Sequence, residues 1–311
     1  MPKVLYVAAW GRSGTTLVDN ILNAYPGVFS AGEVFYLWRR GLVQGRRCGC
    51  GVPLPECALW AAIRRAAFGA AEPDPREMVA LQAEVARTRH TLRLCRGPDT
   101  AADRRYRGII SRLYRGIAEV TGAELIVDSS KSPAGAAVLA GLSDVEGYLV
   151  HAIRDPRAVA HSWMRPKRQV DRPKPAFMDR HGPWESTSHW LLYNALVERV
   201  APRYGARALR LRYEDFLTRP RADAERMLRL AGVPAADGPF AGDGTVQLGP
   251  NHTVSGNPSR FRTGCITLRA DEAWRREQPA AARAVASAVA LPLLHRYGYR
   301  LREAFIPRQG R

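Results

Sequence analysis

The sequence predicts an α/β fold: one domain over residues 1–311, built in three layers, with a central parallel sheet and a helical insertion over about residues 61–122. Three observations predict it. Residues 4–9 form an apolar run that passes through a short glycine loop straight into an amphipathic helix. Later apolar runs at 125–127, 148–153 and 209–211 each end in charged or hydroxyl residues and lead into helical patterns. No repeat, low-complexity tract or linker divides the chain, and 311 residues are enough to bury a full core.

Residues 4–9 suit a strand buried on both faces, because the run is continuous rather than alternating. Gly11, Arg12, Ser13, Gly14, Thr15 and Thr16 follow, and Leu17, Val18, Ile21 and Leu22 line one face of the next helix. Strand, glycine turn and helix N-terminus together collect unpaired amides and the positive end of the helix dipole, which favours a phosphate. The loop is P-loop-like without being a triphosphate loop: that pattern needs Gly at position 9 and Lys at position 15, where this chain has Ala9 and Thr15. With its cation at Arg12 instead, the loop fits a single 5′-phosphate carrying a transferable group.

After the turn at Tyr25-Pro26-Gly27, a short second strand near residues 28–30 puts Glu33 at the carboxyl edge of the sheet, where ligands bind in such folds. A surface carboxylate, or one paired with a nearby arginine, fits the same residues. Residues 46–60 carry Cys48, Cys50 and Cys57 in C-x-C-x₆-C spacing. A closed zinc site needs a fourth ligand, and none lies at a usual spacing, so these thiols are expected to be structural or redox-idle. Trp38 and Trp60 are expected to be core or lid residues rather than base-stacking platforms. Within 61–122, Pro73-Asp74-Pro75 marks a helix start and Arg96-Gly97-Pro98 a break, while Tyr106, Ile109, Ile110, Leu113, Tyr114 and Ile117 recur at helical spacing. This insertion carries no readable chemistry and is expected to cover the site and shape an acceptor cavity.

The strand at 124–128 ends in Asp128, with Ser129, Ser130, Lys131 and Pro133 beyond it. Two readings open here. An apolar strand ending in Asp can hold Mg²⁺ in a P-loop kinase. A lysine at the same edge can neutralise charge directly. A helix near 134–140 and a strand at 148–153 follow; Arg154 closes that strand, Pro156 suits a first helical turn, and Ser162 lies two turns further on. Asp155 and Arg157 are expected to pair, and His151 to be a core histidine. Residues 164–183 read as a basic, proline-rich loop, including Pro166, Pro173 and Pro175, that either gates the site or is merely solvated. A long helix at 184–204, a strand at 209–211 ending before Tyr213, a helix at 218–231, a polar loop at 250–264 and a helix at 280–294 complete the chain.

The chain has 47 Lys and Arg against 29 Asp and Glu, and only four of the basic residues are lysines. This balance favours anionic ligands. No zinc-finger, basic-zipper or RNA-recognition signature accompanies it, so nucleic acid is not an expected partner. No apolar run reaches spanning length, and a cytoplasmic location is expected. Five cysteines do not suggest a disulfide framework.

Gly11-Arg12-Ser13-Gly14-Thr15-Thr16-Leu17 and the Arg154–Ser162 pair, in that order and spacing, resemble the two donor motifs of sulfotransferases that use 3′-phosphoadenosine 5′-phosphosulfate (PAPS). Gly32-Glu33 and Lys131-x-Pro133 are most similar to the tyrosylprotein branch. The resemblance covers 4–34, 124–163 and 207–217 well and 250–264 loosely. It implies PAPS as donor, 3′-phosphoadenosine 5′-phosphate (PAP) as product, and no metal. It implies Glu33 as general base, Lys131 and Arg12 as cations on the leaving phosphate, and Arg154 with Ser162 as the 3′-phosphate clamp. It also implies Tyr213 packed on the donor nucleotide and Ser255, Arg260 and Arg262 in the covering loop. The acceptor would be a hydroxyl on a glycan, phenol, tyrosine or natural product, and the basic loop admits an acidic one. The cytosolic phenol and steroid enzymes carry a histidine where this chain has Ser129 and Ser130, a departure that leaves Glu33 as the base. The competing expectations are the Asp128–Mg²⁺ kinase and a non-catalytic nucleotide-binding module.

Overall fold

The computed structural model describes residues 1–97, 100–174, 176–235, 238–242 and 244–301; Pro98 and Pro175 lie outside them. Strands β1 (Lys3–Ala8), β2 (Val28–Gly32), β3 (Leu125–Lys131) and β4 (Glu146–Ile153) come first in the chain. A two-strand hairpin, β5 (Arg168–Gln169) and β6 (Ala176–Phe177), precedes β7 (Ala208–Arg212). The five longer strands form one sheet in the order β2-β3-β1-β4-β7, with every pairing parallel.

Residues alternate across β1, and both faces are covered. Leu5 and Val7 pack with Val18, Ile21 and Leu22 of α1 (Thr15–Asn23). Val4, Tyr6 and Ala8 pack on the other side with Trp38, Trp60, Leu113 and Ile117. That burial explains the continuous apolar run. The insertion comprises α2 (Ala58–Phe68), α3 (Pro75–Val85), α4 (Thr91–Leu94) and α5 (Ala101–Thr121). Asp74 caps α3, and Thr100 and Asp103 close a capping box on α5. Next come α6 (Pro133–Leu139) after β3 and α7 (Pro156–Met164) after β4, where Asp155 accepts from Arg157 N–H and Pro156 takes the first turn.

Several boundaries differ from the sequence reading. β3 runs on through Ser129 and Ser130 to Lys131, because Asp128 accepts hydrogen bonds from the Ser130 amide and hydroxyl and so satisfies the polar residues inside the sheet. The basic loop contains the β5–β6 hairpin. The long helix α8 (Pro183–Val200) tightens at Ala201–Arg207, where Gly205 turns left-handed. The polar 250–264 segment gives way at Gly264 to β9 (Gly264–Thr267), antiparallel to β8 (Thr245–Leu248).

The strand order decides the function-bearing edge. β1 lies between β3 and β4, so the glycine loop is flanked by what ends those strands. Read across the carboxyl edge, the chain presents Glu33 after β2, Lys131 at the end of β3, the glycine loop after β1, Arg154 after β4 and Tyr213 after β7. Three strand spacings separate the first from the fourth, about 14 Å.

Candidate active site

A cavity of about 710 Å³ opens along this edge. Gly11, Arg12, Gly14, Thr15, Thr16, Glu33, Lys131, Arg154, Ser162 and Tyr213 all line it, so most of the sequence-predicted residues are brought together. Ser13 sits buried in the loop, and Ser255 is buried behind the cavity wall. Arg262 is exposed and outside the lining, although its charge acts on Lys167, which does line it.

The loop is tightly wedged. A Cβ at Gly14 would lie 2.1 Å from Tyr213 Cε2, and Gly14 also has φ of 81°. A Cβ at Gly11 would lie 2.7 Å from Trp163 Cζ2, whose indole N–H donates to Gly11 O at 3.3 Å. Only glycine fits either position, and the backbone is thereby held open toward the cavity. Among the described residues, the non-glycine residues with left-handed backbone are Arg12, Lys131 and Ser255. Strain of this kind persists where surrounding structure imposes it; here Arg12 and Lys131 line the cavity, and Ser255 is buried next to the lining residue Gly256.

The electrostatics are lopsided. All three Arg12 guanidinium nitrogens are buried with no hydrogen-bond partner, while the group sits 4.8 Å from the Trp163 ring centroid. Burial pulls its pKa down, with Glu33 opposing. Lys167 is lowered to about 8 by burial and then by Arg12, Arg262 and Arg165. A lysine lowered by the cations around it, beside a buried guanidinium with no hydrogen-bond partner, is the environment of an anion site. Arg154 donates to Arg12 O at 3.1 Å, stands over the Tyr213 ring at 5.0 Å and meets the Asp271 carboxylate at 3.5 Å. The forked donors of Arg154 and Arg12, beside the glycine loop at the N-terminus of α1, suit a phosphate-bearing ligand.

Glu33 is buried and accepts a hydrogen bond from Lys131 Nζ and another from Arg40 Nη1 at 3.4 Å. Burial alone raises its pKa, but Lys131 and Arg40 overcome that and hold it below the ordinary glutamate value. The carboxylate is therefore ionised and able to accept a proton. Asp128 is placed differently. It is buried away from the cavity, accepts from Tyr114 Oη at 2.6 Å and from the Ser130 amide at 2.9 Å, and burial raises its pKa to about 6. It serves the interior of the sheet, and its donor set does not offer a carboxylate to Mg²⁺ at the edge.

Several cavity residues were not legible. Arg40, seven residues past Glu33 in a wide helical turn, also donates to Ser255 Oγ at 3.0 Å and so joins two predicted residues. Trp10 and Trp163 stack at 5.5 Å, and Tyr193 packs on Trp10 at 4.7 Å; the two tryptophans adjoin the donor motifs, which is the signal that could have found them. Other expectations hold: Trp38 and Trp60 are fully buried, Arg157 pairs with Asp155 at 2.6 Å, and His151 bonds Asn194 at 2.8 Å inside the core. One is corrected. The thiols Cys48, Cys50 and Cys57 do have a fourth potential ligand, His252, brought in from far along the chain.

A model of the sulfotransferase family matches residues 5–237. The chain belongs to that family. This sulfotransferase is similar in structure to the sulfotransferase domain from the Synechococcus PCC 7002 olefin synthase, with TM-score 0.50 and 19% identity over 97% of this chain and 96% of that one. It is also similar to the sulfotransferase domain from the curacin biosynthetic pathway, with TM-score 0.53 and 16% identity over 97% and 99%. At such identities the likeness is one of fold. Comparison with curated proteins gives no match. Among the described residues no helix is long and apolar enough to cross a membrane.

Proposed function

We propose that this sulfotransferase moves a sulfuryl group from PAPS to a hydroxyl acceptor, in line, without a metal and with Glu33 as the base. The observation that carries the reading is the order along the sheet edge: carboxylate, lysine, amide loop with Arg12, then Arg154 and Ser162, all lining one cavity. The loop amides, Thr15, Thr16 and Arg12 would hold the 5′-phosphate, and Arg154 with Ser162 the 3′-phosphate. Tyr213 would flank the nucleotide. In the reaction the acceptor oxygen forms a bond to sulfur while the bond from sulfur to the 5′-phosphate oxygen breaks. Glu33 takes the acceptor proton, and PAP leaves with its new negative charge facing Lys131 and Arg12.

The Glu33–Lys131 pair ties the two groups together. The lysine keeps the carboxylate ionised, and the carboxylate holds the ammonium at the edge of β3, within reach of the loop. The acceptor side is lined by Trp10, Phe35, Tyr36, Ala86, Met178 and Tyr193. A wall of this kind favours an acceptor whose hydroxyl is carried on a flat, apolar body, and Arg87 and Arg89 at the same wall tolerate an acidic substituent.

The test is transfer in EDTA from PAPS to a panel of phenols, tyrosyl peptides and sugars, read as the mass gained by the acceptor, beside calorimetry with PAP. Transfer in EDTA and binding of PAP by the wild type are expected. A requirement for ATP and divalent metal would replace this reading with the kinase. Binding of PAP that survives loss of both Arg12 and Arg154 would remove the donor assignment.

A further inference from the structure

Away from the cavity, the chain builds a second centre. Cys48, Cys50, Cys57 and His252 offer three sulfurs and one nitrogen that all lie within 4.8 Å of one another. Cys50 Sγ and Cys57 Sγ are 3.9 Å apart, Cys57 Sγ and His252 Nδ1 3.4 Å, and Cys48 Sγ and His252 Nδ1 3.8 Å. A tetrahedral zinc with ordinary Zn–S and Zn–N lengths sets S–S edges at about 3.8 Å and S–N edges at about 3.5 Å. A disulfide needs sulfurs about 2.0 Å apart, so these thiols are not placed for one.

The backbone around the four groups is fitted to the purpose. Cys48 N–H donates to Val52 O at 2.8 Å and Gly51 N–H to Cys48 O at 2.9 Å, closing a tight turn that needs the left-handed Gly51. Gly49 N–H donates to Thr253 O at 3.0 Å, and a Cβ on Gly49 would lie 1.9 Å from Asn251 Oδ1. The turn can thus approach the segment that carries His252 closely only because position 49 is glycine. Trp60 Nε1 donates to His252 O at 2.6 Å and fixes that residue from behind. Cys48 and Cys57 are buried, and Cys50 is exposed, which leaves a way in for the ion.

We propose that Cys48, Cys50, Cys57 and His252 bind one structural zinc ion. Three thiolates and an imidazole in a tetrahedron are a zinc donor set, and with four protein ligands the site is closed to substrate. The ion joins three separate parts of the chain. Cys48 and Cys50 belong to the turn at 46–54, Cys57 precedes α2 of the insertion, and His252 begins the segment that runs along the catalytic edge. Two residues past His252, Val254 N–H donates to Ala31 O at 2.9 Å, and Val254 O accepts from Glu33 N–H at 2.7 Å. The metal therefore anchors the segment that positions the Glu33 backbone, and it touches neither the cavity nor the reaction.

The experiment is elemental analysis of the full chain, purified without a polyhistidine tag and dialysed against a weak chelator. About one zinc per chain is expected, falling to nearly none in His252→Ala and in Cys48→Ser. An organomercurial that caps the thiols should release the zinc from the wild type in step with the capping. Hydrogen exchange after metal removal should quicken at residues 250–256 while β1 and β4 stay protected. Because a variant can fail to fold, the wild type decides. A folded wild-type chain that carries less than about a tenth of a zinc even after incubation with the metal overturns the site, and so does a Cys50–Cys57 disulfide found by mass mapping. Cobalt in place of zinc should give the intense spectrum of a tetrahedral thiolate complex; a weak six-coordinate spectrum overturns the donor set.

Discussion

Two buried carboxylates stand side by side at the carboxyl end of the sheet and have opposite fates. Gly32 of β2 pairs with Asp128 of β3, so Glu33 is one residue beyond the aspartate's own partner. Burial penalises the charged form of both. Around Glu33 the neighbours are cations, Lys131 and Arg40, and its pKa falls. Around Asp128 they are Ser130 and Tyr114, neutral donors that only partly offset burial, and its pKa rises to about 6. Depth does not tell the two carboxylates apart; the formal charge of their partners and the cavity in front of Glu33 do, and these are what support the proposal of Glu33 as the base.

The largest expected effect tests Glu33, the proposed base. Glu33→Ala should lower kcat by about 10²–10⁴-fold, the usual worth of a positioned base, while PAP affinity measured by calorimetry stays close to wild type. Near-normal turnover would assign the proton to another group. Next in size, Arg154→Ala should weaken PAP binding by about tenfold to a hundredfold, since it removes charge-assisted bonds to a phosphate. Unchanged affinity would mean that Asp271, which pairs with Arg154 at 3.5 Å, is its permanent partner.

The contrast also marks what the sequence could disclose. Strand, glycine turn and helix are local events, so Gly11, Gly14, Thr15 and the ends of β1 and β4 were readable from apolar runs and spacing, whereas β3 runs past its expected end at Asp128 to Lys131. Arg154 and Ser162 stood out through their resemblance to the sulfotransferase 3′-phosphate motif, in which the two residues are two helical turns apart. Glu33 was readable as an edge carboxylate, but its pairing with Lys131 depends on β2 and β3 lying next to each other across 98 residues of chain. Arg40 and the acceptor wall depend on how the insertion folds back, which no short pattern encodes. The same limit hid His252 from Cys57, 195 residues away, because ligand spacing is legible only when the ligands are local. Asp128 drew a metal-ion reading because a strand-end aspartate looks the same whether it faces the cavity or Tyr114.

Asp128 makes the third prediction, of stability rather than rate. Asp128→Ala strips the buried Tyr114 hydroxyl and Ser130 amide of their acceptor and should cost about 1–3 kcal/mol in urea unfolding, while the folded fraction keeps its kcat. The pH dependence carries the sign. The native carboxyl keeps its proton up to about 6 whereas an unfolded one loses it near 3.8, so the native state binds more protons in that window. This group's contribution to stability then falls as pH rises from about 4 to 6. Asp128→Asn should flatten that part of the profile; an unaltered slope would place the titration elsewhere.

The smallest expected effect separates the two carboxylates most sharply. Glu33 has a depressed pKa, so its contribution to stability is present above the unfolded glutamate value and is lost as pH falls through the lower native one. The rate should follow the same group, with the acid limb of kcat/KM lying below the ordinary glutamate range. Lys131→Met removes the largest of the opposing charges and leaves burial facing Arg40 and the more distant Arg260. The limb should therefore move to higher pH, in addition to any loss of kcat from the missing cation. Lys131→Arg, which keeps the charge, should restore the limb toward low pH even if the longer side chain slows turnover. A limb that stays fixed in Lys131→Met would show that the titrating base is not Glu33, whatever the Glu33→Ala rate had suggested.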